Sequence, residues 1–198
     1  MQKFLKKLIY VSFIIVYFFE IKQVQSLVPY YYIPTIKNLE REAFSIGKNA
    51  YQLLYFGQYQ QSLSMAKLAV KINKNDEKLW LILSEAQVAN KLYKNALISL
   101  NKAQEINPNN SETYILEGNI YLKNSKLQKA KTALETALRI EPNNYKAIFK
   151  LGNILLMEKN YSEAIKLFDE SVKIKPDFWQ GINNKGLAIS RKITSIYQ

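Results

Sequence analysis

The segment 145–178, YKAIFKLGNILLMEKNYSEAIKLFDESVKIKPDF, decides the fold of this chain. Apolar residues recur at helical spacing on both sides of a polar turn at 158–160, which predicts two amphipathic helices. Pro176 ends the second helix because proline has no backbone N–H to donate. A single hairpin cannot bury its own apolar face, so copies are expected elsewhere in the chain. Three small residues interrupt the two apolar faces: Gly152, Ala164 and Ser171.

The hairpin does recur. Pro108, Pro142 and Pro176 are spaced 34 residues apart, since 142 − 108 and 176 − 142 both equal 34. With Tyr145 as the first position of its unit, we refer to position n of every unit as column n. The four units that result are 43–76, 77–110, 111–144 and 145–178. Columns 8, 20 and 27, the small columns, hold only small residues. Their members are Ala50, Ser84, Gly118 and Gly152; Ser62, Ala96, Ala130 and Ala164; and Ala69, Ala103, Ala137 and Ser171.

Bulky residues occupy column 4 in units two to four and column 24 in the same units: Trp80, Tyr114 and Ile148, then Leu100, Leu134 and Phe168. With its period, small columns and closing prolines, the chain resembles a tetratricopeptide repeat (TPR) protein over 43–178. The resemblance implies an all-α fold, a right-handed α-solenoid of TPR helical hairpins. Unit one departs from the pattern, since Ser62 replaces the usual alanine and Lys74 the closing proline.

The amino-acid composition excludes several classes of function. The chain of 198 residues contains no cysteine and no histidine, which removes thiolate nucleophiles, the usual zinc ligands and the commonest general base. Acidic pairs lie on adjacent positions, and no glycine-rich phosphate loop follows a strand. We therefore expect no enzyme, no cofactor, no metal site and no small-molecule substrate. The net charge is +12, but the lysines are scattered over every unit, so we expect no nucleic-acid partner either.

Residues 1–26 have the layout of a secretory signal peptide, with three lysines before an apolar run from Leu8 to Phe19 and a polar stretch ending at Ser26. The run is short for a membrane span, which needs about 20 apolar residues. A cleaved signal is the preferred interpretation. An uncleaved N-terminal anchor, with membrane association through residues 1–26, and a buried first helix are the alternatives.

Residues 27–42 follow as a leader in which Pro29 and Pro34 bracket three tyrosines and predict extended backbone. The tyrosines either pack over the end of the first unit or lie at a membrane interface. A signal-like start, LVPYYYIPT and then a repeat array resemble exported TPR proteins of cyanobacteria and algal plastids. That resemblance implies a photosystem I assembly factor at the thylakoid lumen or membrane; the residues alone equally allow the periplasm.

Residues 179–198 begin a fifth unit, with Ile182, Gly186 and Ile189 in columns 4, 8 and 11. No second helix of that unit follows in the sequence. The segment is interpreted either as a helix that caps the array with its polar residues Asn183, Lys185, Arg191 and Lys192, or as the start of a truncated repeat.

The TPR resemblance also implies a protein partner bound on the concave face, which the first helices of successive repeats line. Column 9 supplies Asn119 and Asn153, whose carboxamides can donate to and accept from a peptide backbone. Chaperone-binding members of the family grip the acidic C-terminus of a chaperone with a lysine in column 5, where this chain has Ile115. A chaperone C-terminus is therefore not an expected ligand. The predicted groove residues are Glu85, Ile115, Asn119, Leu122, Phe149, Asn153, Leu156 and Met157.

A competing interpretation is that Phe149 and its apolar neighbours only pack between repeats. The expected function is a non-catalytic scaffold that binds a protein segment and assists assembly of a membrane complex, photosystem I by resemblance. A membrane-anchored TPR adaptor for an unrelated client is the alternative.

Overall fold

A computed structural model describes residues 36–197, and every regular element in that range is an α-helix. The helices are α1 (Ile36–Tyr55), α2 (Tyr59–Ile72), α3 (Glu77–Ala89), α4 (Tyr93–Ile106), α5 (Ser111–Lys123), α6 (Leu127–Ile140), α7 (Tyr145–Met157), α8 (Tyr161–Ile174) and α9 (Trp179–Ile196). They form the all-α TPR solenoid that the sequence predicts. The predicted signal or anchor at 1–26 and the leader residues 27–35 lie outside the described part.

Consecutive helices pack in pairs joined by short turns: α1 with α2, α3 with α4, α5 with α6, and α7 with α8. The second helix of each pair also packs against the first helix of the next pair, and α9 packs on α8 in the same way. Contacts therefore connect neighbours along the chain, as in other solenoids. This stacking places the first helices α3, α5 and α7 side by side.

The first helix begins earlier than the sequence indicated. We predicted extended backbone over 27–42, but α1 starts at Ile36, so the prediction is wrong for 36–42. No proline or glycine occurs between Pro34 and Gly47 to interrupt a helix. Ala43 and Ala50 lie seven residues apart, on one helix face, and both are fully buried in the first core cluster.

Side chains in column 34 start three of the first helices. Asp76, Asn110 and Asn144 each accept a hydrogen bond from a backbone N–H two residues on, the N-cap interaction that satisfies an otherwise unpaired donor. The four second helices all end at an isoleucine in column 30: Ile72, Ile106, Ile140 and Ile174. The second helix therefore ends in the same column in all four units, including unit one, where Lys74 replaces the proline.

All twelve residues of the small columns are buried. A methyl group built on Gly118 would lie 2.9 Å from Leu134 Cγ, and one built on Gly152 would lie 2.7 Å from Phe168 Cε1. The bulky side chain in column 24 thus lies directly over column 8. In unit one, Ser62 Oγ donates to the carbonyl of Ala50 at 2.8 Å, so the serine in place of alanine has its hydroxyl satisfied.

The turn inside each pair uses one left-handed residue in column 15. Gly57 has φ 72°, and Lys91, Ser125 and Lys159 have φ of 61°, 56° and 62°. Only the first of the four is a glycine, although a left-handed backbone is strained for the other residue types. Within 36–197, none of these helices is both long enough and apolar enough to cross a membrane.

Candidate functional site

A cavity of about 420 Å³ opens between the first helices of units two, three and four. Cavities of this size accommodate ligands in other proteins. Because α3, α5 and α7 all contribute, the stacking of repeats creates the site, and no single hairpin contains it. The lining residues are Ser84, Glu85, Val88, Ala89, Leu116, Asn119, Leu122, Lys123 and Lys150.

Three predicted groove residues, Glu85, Asn119 and Leu122, line this cavity together. Asn153 does not line it. Its side-chain oxygen accepts a hydrogen bond of 2.7 Å from Asn184 of α9, so part of its hydrogen-bonding capacity joins α7 to α9. Of the two asparagines predicted to contact a bound peptide, only Asn119 therefore lines the cavity.

Ile115 and Leu156, two further predicted groove residues, do not line the cavity. Ile115 is 1% exposed and packs in a cluster with Leu134 and Ala147. Leu156 is 8% exposed and packs in a cluster with Phe168 and Ala188. Both side chains point into the seams between helices, where burying an apolar side chain is favourable.

Phe149 lies within an aromatic cluster, in agreement with the competing interpretation that it packs between repeats. Its ring centroid is 5.6 Å from that of Phe168 and 4.9 Å from that of Phe178, in tilted and edge-to-face arrangements. The ring thereby joins α7, α8 and the start of α9. Met157, by contrast, is 59% exposed at the end of α7 and does not line the cavity.

The sequence interpretation missed the basic side of the cavity. Lys123 and Lys150 line it in columns 13 and 6, and Lys146 in column 2 pairs with Glu112 at 3.5 Å. None of these three lysines was predicted, because the groove was assigned from column 9 and its apolar neighbours. Nothing in a single sequence distinguishes Lys150 from the other lysines, which are scattered over every unit.

Burial perturbs two charged groups of the cavity in opposite directions. Desolvation, with a smaller contribution from Glu112, raises the pKa of Glu85 to about 6. Desolvation likewise lowers the pKa of Lys150; Glu112 partly opposes this, while Lys146 and Lys123 lower the pKa further. Both groups thus carry their charge at an energetic cost. Within 36–197 no cluster of three or more acidic side chains could hold a metal ion.

Glu85→Gln is expected to stabilise the protein above pH 6 by about 1–2 kcal/mol. The pKa of this carboxyl is raised in the folded state from 4.5 to about 6, so ionisation favours the unfolded chain and native stability falls as pH rises through that window. Below pH 4.5 glutamine resembles the protonated carboxyl and the difference should vanish. Urea unfolding of both proteins between pH 4 and 8 measures this, with the exposed Glu135→Gln as the control. A difference that does not change with pH would contradict it.

Family models described as tetratricopeptide repeat match residues 77–110 and 115–177. The chain contains tetratricopeptide repeats. The first match has the same bounds as the second of the four units, and the second match spans most of units three and four. No curated protein matches the chain by sequence.

Solved TPR structures have the same fold. TTC0263, a thermophilic TPR protein of Thermus thermophilus, is 20% identical, with a TM-score of 0.69 over 78% of this chain and 88% of that one. MamA of Desulfovibrio magneticus RS-1 is 19% identical, with a TM-score of 0.64 over 80% of this chain and 88% of that one. YrrB, described as a TPR protein with an unusual peptide-binding site, is 19% identical, with a TM-score of 0.56 over 80% of this chain and 84% of that one.

Proposed function

We propose that this TPR array is a non-catalytic scaffold that binds an extended segment of a partner protein in the cavity between α3, α5 and α7. The observation that carries the proposal is the cavity itself, where apolar and hydrogen-bonding side chains from three successive repeats meet. YrrB, of the same fold, is described as having a peptide-binding site, which supports this use of the fold.

The lining suits a main chain in extended conformation. Val88, Leu116 and Leu122 provide apolar contacts, and Asn119 offers both a donor and an acceptor to a peptide group. Ser84 also lines the cavity, although its hydroxyl oxygen is itself fully buried.

The net charge of the lining favours an acidic residue in the bound segment, since the lining contains two lysines, Lys123 and Lys150, and one carboxylate, Glu85. Lys123 and Lys150 lie on the same cavity, and no carboxylate of the described residues forms an ion pair with Lys150. Burial lowers the pKa of Lys150, so a carboxylate entering the cavity would restore the favourable environment of its charged form.

For the client and its place, we propose a subunit of a membrane protein complex, photosystem I, at the thylakoid lumen or membrane. The support is the sequence of 1–35, a signal-like segment followed by LVPYYYIPT, and these residues lie outside the described part. An adaptor anchored through residues 1–26 to a different client is the second candidate.

The paired variant Asn119→Ala with Lys150→Ala is expected to weaken capture of the client about tenfold or more, because it removes one hydrogen-bonding and one charged contact. The measurement is affinity capture with crosslinking from isolated thylakoid membranes, comparing the proteins recovered by parent and variant. Asn101→Ala with Lys102→Ala makes the same chemical changes on the exposed face of α4 and serves as the control.

Loss of one set of proteins in the cavity variant, retained by the control, supports peptide binding in the cavity. Photosystem I subunits within that set support the proposed client, and unrelated proteins support the second candidate. A correctly folded cavity variant that recovers the same partners in the same amounts refutes the cavity as the binding site.

A further inference from the structure

The last helix, α9, exposes an apolar face along its whole length. Ile182, Gly186, Ile189 and Ile193 recur at helical spacing on one face, and the three isoleucines are 53%, 40% and 51% exposed. We call these four residues the α9 stripe. A continuous exposed apolar face of this kind marks an interaction surface more often than isolated apolar residues do.

The earlier repeats show what normally covers this face. Gly118 and Gly152, in the same column as Gly186, meet Leu134 and Phe168 of the following helix within 3 Å of an added methyl group. A methyl group added at Gly186 meets nothing within 4 Å. The stripe therefore has the shape of the first half of a TPR hairpin, with the position of the second helix left open among the described residues.

The earlier repeats provide a template for a helix that would cover this face. Both covering helices place a bulky residue four positions after one small residue and three positions before another. The two examples are Ala130, Leu134 and Ala137 in α6, and Ala164, Phe168 and Ser171 in α8, all of which are fully buried. A helix with this spacing can set its bulky residue over Gly186 and approach closely on both sides.

The positive charge around α9 indicates which kind of partner helix can bind there. The segment 179–198 carries Lys185, Arg191 and Lys192 and no acidic residue, in a chain with net charge +12. Lys185 pairs with Asp169 of α8, which shows how a neighbouring helix complements this basic surface. A second copy would bring another helix with three cations and no anion, which is unfavourable. An acidic helix is complementary.

We propose that the α9 stripe is a second docking site, which binds an amphipathic helix of a partner protein with the small, bulky, small spacing of α6 and α8 and acidic residues beside its apolar face. The partner helix would lie on α9 as α6 lies on α5 and α8 lies on α7. This site is at the end of the array, separate from the cavity between α3, α5 and α7, so the two can bind different segments.

The test uses a synthetic peptide with the sequence of α8, residues 161–174, labelled for fluorescence anisotropy and titrated with the full chain. We expect saturable binding that Gly186→Leu weakens about tenfold or more, because the leucine fills the place of the bulky residue. The fold should tolerate the change, since the site is open. Ser195→Leu, exposed on the opposite side of α9 because it lies nine residues from Gly186, is the matched control and should bind as the parent does.

Two changes in the peptide test the chemistry. Phe168→Ala in the peptide should abolish binding, and Lys166→Glu with Lys173→Glu should tighten it about threefold at low salt, an effect that salt screens. No saturable binding up to about 1 mM peptide overturns the proposal. So does equal binding to the Gly186→Leu protein, or loss of binding only when Asn119→Ala and Lys150→Ala alter the cavity. A dimer in light scattering that Gly186→Leu dissolves would make a second copy the occupant and would also overturn it.

Discussion

Replacing Phe168 with alanine should lower the free energy of unfolding by about 3–5 kcal/mol. The side chain is completely buried and is among the largest such residues in the described part. It covers Gly152 across the hairpin and contacts the ring of Phe149 on the same side. Alanine would leave a cavity among α7, α8 and α9, whose side chains pack around this ring. Urea unfolding followed by circular dichroism measures the loss.

Phe56→Ala is the control for this prediction. Phe56 is 71% exposed in the turn after α1 and contacts only the ring of the adjacent Tyr55 among aromatic neighbours in the described part. Removing it should change stability by no more than about 0.5 kcal/mol. If the two alanine variants unfolded at the same urea concentration, Phe168 could not be the centre of the last core cluster.

The sequence predicted the fold because the repeated hairpin leaves few alternatives for it. A column that is small in four successive units has one physical explanation, close approach of two helices, and all twelve such residues are buried. The caps at Asp76, Asn110 and Asn144 extend the same argument, since an Asp or Asn in one column supplies an acceptor to the first turn of three first helices, α3, α5 and α7. Repetition turns weak local signals into a consistent pattern.

The start of α1 could not be predicted in the same way because no second copy of that region exists in the chain. The two prolines and three tyrosines dominated the interpretation of 27–42, whereas the helix is determined by residues further on, Ala43 and Ala50, which bury against α2 and α3. Tertiary packing extended a helix over residues whose local pattern was ambiguous.

The candidate site was predicted only in part, because equivalent columns do not have the same neighbours in every repeat. Leu122 lines the cavity, but its equivalent Leu156 is covered by α9, which packs beside it. Asn119 lines the cavity, but its equivalent Asn153 bonds to Asn184. A repeat at the end of an array has a different neighbour on one side, so its equivalent residues have different environments.

Gly152→Leu is the second large expected effect, a loss of about 3 kcal/mol or more. A single methyl group at this position would already lie 2.7 Å from Phe168 Cε1, and leucine adds further carbons against a ring that also packs against Phe149. The ring cannot rotate away without leaving its place, so α7 and α8 must separate. Because each repeat contacts only its neighbours, the damage should begin in the last hairpin.

Hydrogen exchange tests where that damage begins, and a double-mutant cycle tests its cause. Amides of α7 and α8 should exchange faster in Gly152→Leu while those of α3 and α4 remain protected. In a protein that already carries Phe168→Ala the leucine has space to fill, so its cost there should fall by at least about 1 kcal/mol. Gly186→Ala, where an added methyl group meets nothing within 4 Å, is the matched control. It should stabilise α9 by up to about 1 kcal/mol through helix propensity alone. Equal costs of Gly152→Leu in the two backgrounds would show that contact with the Phe168 ring is not the cause.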